Sequence, residues 1–205
     1  SSVRRWGSGS WKRSSSSFVA MAKVLVPVAD GSEEIETTCI TDTLTRCGCQ
    51  VTVASVMPGK LQVKMSRGIN VVADCAIEDC KGTEWDAIAL PGGMPGAEHL
   101  RDCAALIELL KDQSGKGKVT AAVCASPAVV FGTHGLLPEK STCYPKFKDV
   151  VGAGWQDAQA VMDGHIITSQ GPGTSIQFAL KIGEKLCGKD KAVEVAKGML
   201  VDYVV

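Results

Sequence analysis

From Met21 onward, short apolar runs of strand length alternate with segments of helical length, and this alternation restricts the chain to few folds. Lys23–Val28 is almost uninterrupted in its apolarity, as a strand buried on both faces of a parallel sheet must be. Gln50–Ser55, Trp85–Leu90 and Val119–Val123 read as further strands. Helical stretches lie between them. The first is N-capped by Ser32, with Glu33 and Glu34 in the first turn. It carries Ile35, Ile40 and Leu44 and stops at Cys47-Gly48. Others run over about 103–113 and 125–133, and two more start near Thr174 and Asp190. Residues 61–73 read as a small hairpin turning at Arg67-Gly68, and Gln159–Met162 with His165–Ser169 as an outer hairpin. Such alternation with short connections predicts an α/β fold: a mostly parallel central sheet with helices on both faces, one domain over 21–205.

Composition excludes several function classes. Lys+Arg and Asp+Glu are 22 each, so there is no basic excess of the kind a phosphate-neutralising nucleic-acid binder needs. No apolar run approaches the roughly 20 residues of a membrane-spanning helix. The balance hides an asymmetry. Residues 1–20 hold Arg4, Arg5, Lys12 and Arg13, eight Ser and no acid, which leaves 18 basic against 22 acidic residues in the rest. This basic, Ser-rich leader is expected to be disordered. It suits a mitochondrial or plastid transit peptide; the alternative is an extension without an address, ahead of a cytoplasmic protein starting at Met21. No secretory signal is evident, so the nine Cys are expected to be mostly reduced thiols. They form no C-x-x-C, and no His/Asp/Glu cluster has metal-ligand spacing. His99, His134 and His165 are expected to be structural or surface residues. Gly92-Gly93-x-x-Gly96 is not a dinucleotide fingerprint, so no cofactor is implied.

Ligands of open parallel sheets bind at the carboxyl ends of the strands. Three segments fall there: the turn leading to Glu33, Glu34 and Glu36, the loop Gly92-Gly93, and Cys124 at the end of the Val119–Val123 strand. A thiol at a strand-to-helix corner meets unpaired N–H groups that favour the thiolate. Cys124 therefore is a candidate nucleophile on a tight elbow, with small neighbours Ala125 and Ser126. The simpler alternative is a packing cysteine.

Four blocks bear on that choice: Gly31-Ser-Glu-Glu-Ile-Glu36, Leu90-Pro-Gly-Gly93, Ala121-Ala-Val-Cys-Ala-Ser-Pro127 and Thr168-Ser-Gln-Gly-Pro-Gly-Thr174. In order and spacing they resemble the ThiJ/PfpI superfamily, and within it the branch of the Parkinson-disease-associated protein deglycase. The resemblance implies a flavodoxin-like fold, a homodimer and an oxidation-prone Cys124. It implies Glu36 as the acid facing Cys124, and Gly92, Gly93 and Ala125 as backbone donors to an anion. Arg67 matches an arginine near the pocket, one that the second subunit could donate. Glu36 beside a thiolate should be protonated and able to shuttle a proton, whereas Glu33 and Glu34 are expected on a solvated face. Tyr144 stands where the branch has His, which puts a Cys–His pair in doubt, and Gln170 replaces an Arg. The implied activity is a cofactor-independent glyoxalase or deglycase acting on 2-oxoaldehydes such as methylglyoxal or on glycated proteins, with a role in oxidative-stress protection. The alternative is a redox sensor or chaperone whose oxidised cysteine controls binding to protein clients.

Overall fold

The structure, a computed structural model, describes residues 21–203; the leader expected at 1–20 lies outside the described residues. Seven strands form one sheet in the order β5-β2-β1-β6-β7-β9-β8, where β1 is Lys23–Val28, β2 Gln50–Ser55, β5 Cys75–Ala76, β6 Ala87–Leu90, β7 Val119–Val123, β8 Ala160–Asp163 and β9 Ile166–Ser169. Every pairing is parallel except that of β8 with β9. The hairpin of β3 (Gln62–Lys64) and β4 (Asn70–Val72) stands apart as a two-stranded sheet, with Gly68 at φ +99° in its turn.

Period-two geometry splits β1 between two cores. Val24, Val26 and Val28 point to a layer that contains Ile40 and Leu44 of α1 (Glu34–Arg46), Phe178 and Ile182 of α5 (Ser175–Cys187) and Val195 of α6 (Lys189–Gly198). Leu25 points the other way, to Leu100 of α2 (Gly96–Asp102), to Leu106, Ile107 and Leu110 of α3 (Ala104–Gly115), and to Phe131. A short helix, α4 (Lys148–Val151), packs on the turn at Pro127–Gly132.

Several sequence expectations are corrected. Ser32 does not cap α1: its hydroxyl accepts the Ala29 N–H, and the cap is Glu33, whose carboxylate accepts the Glu36 N–H at 2.8 Å. The helix expected over 103–113 is α3, and a second helix not foreseen from the sequence, α2, precedes it, separated by extended Cys103. The last hairpin is not wholly outer, because β9 lies inside the sheet against β7 and only β8 forms the edge. Strand β6 starts at Ala87 rather than Trp85. The two-residue β5 is too short to leave a periodic signal.

Chain order reverses beside β1: the chain moves from β1 to β2 on one side and later enters β6 on the other. The crevice at that reversal is where doubly wound sheets bind ligands, and the carboxyl ends of β1, β6 and β7 border it.

Candidate active site

Strand β7 delivers the chain to Cys124, whose φ of 64° is in the left-handed region that side chains other than glycine avoid. Such a residue costs about 1–3 kcal/mol and persists only if its surroundings hold it. Here the Cys124 N–H donates to the Ser169 carbonyl at 3.0 Å, and the Cys124 carbonyl accepts the Tyr144 N–H at 2.8 Å. One residue on, the Ser126 hydroxyl donates to the Pro91 carbonyl at 2.6 Å, tying the β7 elbow to the loop after β6. That loop must pass close: a Cβ at Gly92 would be 2.7 Å from the Cys124 Cβ and 2.9 Å from the Ala125 nitrogen.

Glu36 enters from α1. It is fully buried; its Oε2 accepts the Gly92 N–H at 2.6 Å, while Oε1 has no well-formed hydrogen bond. The carboxyl lies within hydrogen-bonding reach of the Cys124 thiol. Burial pushes Glu36 up from 4.5 to about 7; the Gly92 N–H and the thiol oppose the rise, and the Glu33 carboxylate adds to it. Burial, and then the charge of Glu36, pushes Cys124 up to about 12, against N–H groups of Gly93 and Ala125 that face the sulfur.

The direction at Cys124 is the reverse of what the corner position suggests. The helical turn that follows, Pro127–Gly132, is only six residues long, and desolvation beside a carboxylate outweighs its dipole. Burial, rather than repulsion between two anions, is also the main cause at Glu36. The two groups therefore titrate as a pair. The pair gives up one proton near neutrality and holds the second far above it. Over the intervening range Glu36 is ionised and Cys124 keeps its proton, so a buried carboxylate faces a thiol.

A stability prediction follows from the raised carboxyl. Below pH 4.5 Glu36 is protonated in folded and unfolded chains alike. Between 4.5 and about 7 only the unfolded chain ionises, so its stabilising contribution is lost as pH rises through that window. Glu36→Gln should therefore stabilise the protein by roughly 3 kcal/mol at pH 8, with the gain fading toward pH 4. Urea unfolding at the two pH values checks this; an equal effect at both would show that the carboxyl is not raised.

The DJ-1/PfpI family profile matches residues 22–185. This chain belongs to the DJ-1/PfpI family. Among curated relatives, Protein DJ-1 homolog B of Arabidopsis thaliana is 44% identical over 177 residues, 85% of this chain but only 40% of that protein, so the chain spans less than half of that relative's length. The Glutathione-independent glyoxalase DJR-1.2 of Caenorhabditis elegans is 40% identical over 181 residues, 86% of this chain and 94% of that protein. The solved structure of oxidized Toxoplasma gondii DJ-1 superposes with a TM-score of 0.86 at 49% identity, covering 89% of this chain and all of that one.

The other candidate residues of this DJ-1/PfpI chain divide clearly. Gly93 and Ala125 direct their N–H groups at Cys124 Sγ. The Gly92 N–H is given to Glu36 Oε2. Arg67 is exposed; its own N–H donates to Glu34 Oε1 at 2.7 Å, and its guanidinium reaches the Ser66 carbonyl at 3.5 Å rather than Cys124. Tyr144 meets Cys124 through its backbone, while its half-exposed ring tilts against Phe147. Glu33 and Glu34 are not on a solvated face: both are buried, one capping α1 and the other accepting from Ser66 and Arg67. Sequence reasoning missed how Glu33, Ser126 and Ser169 hold the site, because each does so through a contact with the backbone. His134 bonds the Arg101 carbonyl and His165 the Ser114 hydroxyl. Among the described residues no group of three or more His, Cys, Asp and Glu is placed to hold a metal.

Proposed function

We propose that this chain is a cysteine-dependent glyoxalase for small 2-oxoaldehydes such as methylglyoxal, with deglycase activity on their early protein adducts through the same thiohemiacetal chemistry, and so a protectant under oxidative stress. The observation that carries the proposal is the fully buried Glu36 carboxyl set beside the Cys124 thiol, with the N–H groups of Gly93 and Ala125 facing the same sulfur. The name of the Caenorhabditis relative supports the same chemistry without glutathione.

Ionised Glu36 takes the thiol proton as the Cys124 sulfur attacks the aldehyde carbon and passes it to the carbonyl oxygen, forming a hemithioacetal. The Gly93 and Ala125 N–H groups stabilise the oxyanion as it develops. Glu36, now ionised, takes the proton from that carbon and returns it to the neighbouring one, converting hydroxyketone into hydroxythioester. Water cleaves the thioester, releasing lactate and restoring the thiol. The sum is methylglyoxal plus water to lactate, with no external oxidant or reductant. Incubation with methylglyoxal in the absence of glutathione should yield lactate in step with aldehyde loss. Aldehyde loss with no lactate formed would reject the reaction.

A second reading rests on the same donors: oxidised Cys124 held as a sulfinate by Gly93, Ala125 and protonated Glu36, switching the protein's hold on client proteins. The Toxoplasma structure is of the oxidized protein.

A homodimer is part of the proposal. Ile35 and Ile69 are 54% and 56% exposed and border one apolar depression with Thr38 and Cys39, spanning α1 and the β3–β4 hairpin. A second copy covering this face would receive Arg67, which the buried Glu34 holds in place through its backbone. Ile35→Glu should shift the sedimenting mass to that of a single 21.5 kDa chain. An unchanged mass would place the interface elsewhere.

A further inference from the structure

The amino ends of the strands, remote from Cys124, hold a second group of sulfurs. Cys49 immediately precedes β2 and is buried, while Cys187 ends α5 and is half-buried. Their Sγ atoms lie 3.5 Å apart, both reduced. Cys47 shares the cluster, with its Sγ packed against Gly183, where a Cβ would come within 2.6 Å of it. Two sulfurs in van der Waals contact need about 1.5 Å of approach, a side-chain rotation, to reach the roughly 2.05 Å bond. The two residues are 138 positions apart, so a bond would join the start of an inner strand to the last turn of α5, which packs on α1.

We propose that Cys49 and Cys187 form a redox-modified dithiol, separate from the active site, that hydroperoxides convert to an intrachain disulfide. Cys187 is the more accessible sulfur and reacts first. As thiolate it attacks one peroxide oxygen; the O–O bond breaks, and the other oxygen leaves and takes up a proton. Cys187 is then a sulfenic acid. The Cys49 sulfur attacks it, the S–O bond breaks, and water departs with the Cys49 proton. Two thiols lose two electrons, and one hydroperoxide becomes one water and one alcohol, or two waters from hydrogen peroxide. Burial of Cys49 shields it from solution oxidants and leaves it to act as the resolving thiol. Cys75 and Cys80 also stand 3.6 Å apart, but a bond between them closes a loop of only five residues and constrains the unfolded chain far less.

The test treats the full chain carrying Cys124→Ser with hydrogen peroxide, then maps peptides without reduction and measures melting. A Cys49–Cys187 linked peptide, lighter by two hydrogens, is expected, with Tm raised by about 5–10 °C and restored by a thiol reductant. Adding Cys187→Ser should remove both the link and the Tm rise; Cys49→Ala should leave Cys187 to accumulate oxygen instead of a link. Oxygen addition at Cys187 without linkage when Cys49 is intact, linkage to Cys47 instead, or a linked peptide with unchanged Tm would each overturn the proposal. So would failure of peroxide to modify either residue. None of these outcomes depends on glyoxalase activity, because Cys124 is absent throughout.

Discussion

Cys124→Ser should lower lactate formation from methylglyoxal by roughly 10³–10⁶-fold, the range seen when a covalent nucleophile is removed. Serine fits the volume of the thiol and accepts the same N–H groups, so the elbow should keep its shape. Its hydroxyl, however, cannot be ionised by a carboxyl that titrates near neutrality. Glu36→Gln preserves the bond from the Gly92 N–H, since an amide oxygen can accept it, but carries no proton to move between carbons. Its turnover should fall about 10²–10⁴-fold while the fold gains stability at pH 8. A variant that is more stable and yet inactive separates the chemical role of Glu36 from a structural one. Wild-type turnover in either variant would remove the mechanism, and full activity in Cys124→Ser would remove the nucleophile altogether. The pH profile should rise through about 7, where the pair loses its first proton.

Gly93→Ala should be the most damaging small substitution near the site. Gly93 has φ +87°, and a Cβ there would meet the Gly31 carbonyl oxygen at 2.4 Å and the Glu33 nitrogen at 2.7 Å. Both are backbone atoms, so no side chain can swing aside. Left-handed strain of about 1–2 kcal/mol and overpacking of about 1–3 kcal/mol add to a loss of roughly 2–5 kcal/mol. Tm should fall by about 5–20 °C. Relief of the clash would push apart the turn before α1 and the loop after β6, and with them Glu36 from the Gly92 N–H. Activity should therefore fall further than stability explains at a temperature where the variant remains folded. A Tm within 2 °C of wild type, measured by calorimetry, would mean that the loop has room the geometry denies it.

What could be read from residues alone depended on how local the cause was. Strands β1, β6 and β7 were legible because both their faces are buried, and uninterrupted apolarity is a local record of that. The end of α1 was legible because Gly48, at φ +89°, takes a conformation few other residues accept. The cap of α1 was missed because Ser32 and Glu33 are both competent; the Ser32 hydroxyl is engaged by the Ala29 N–H, which the sequence does not display. Glu33 and Glu34 look like solvated acids in a helical first turn, and only the arrival of the β3–β4 hairpin and the Gly92 loop buries them.

Family resemblance brought Cys124, Glu36, Gly93 and Ala125 together on paper, and the spacing of the four blocks was sufficient for that. The sequence by itself determined the parallel sheet, the elbow at its carboxyl edge and the kinds of group gathered there, because strand periodicity and turn chemistry are written residue by residue. The tertiary structure decided where the charge sits: Glu36 is sealed from water, its Oε2 is taken by Gly92, and Cys124 is raised rather than lowered. It also decided that Cys49 faces Cys187 across 138 positions. Desolvation and long-range contact are properties of how distant segments close over one another, and no window of neighbouring residues contains them.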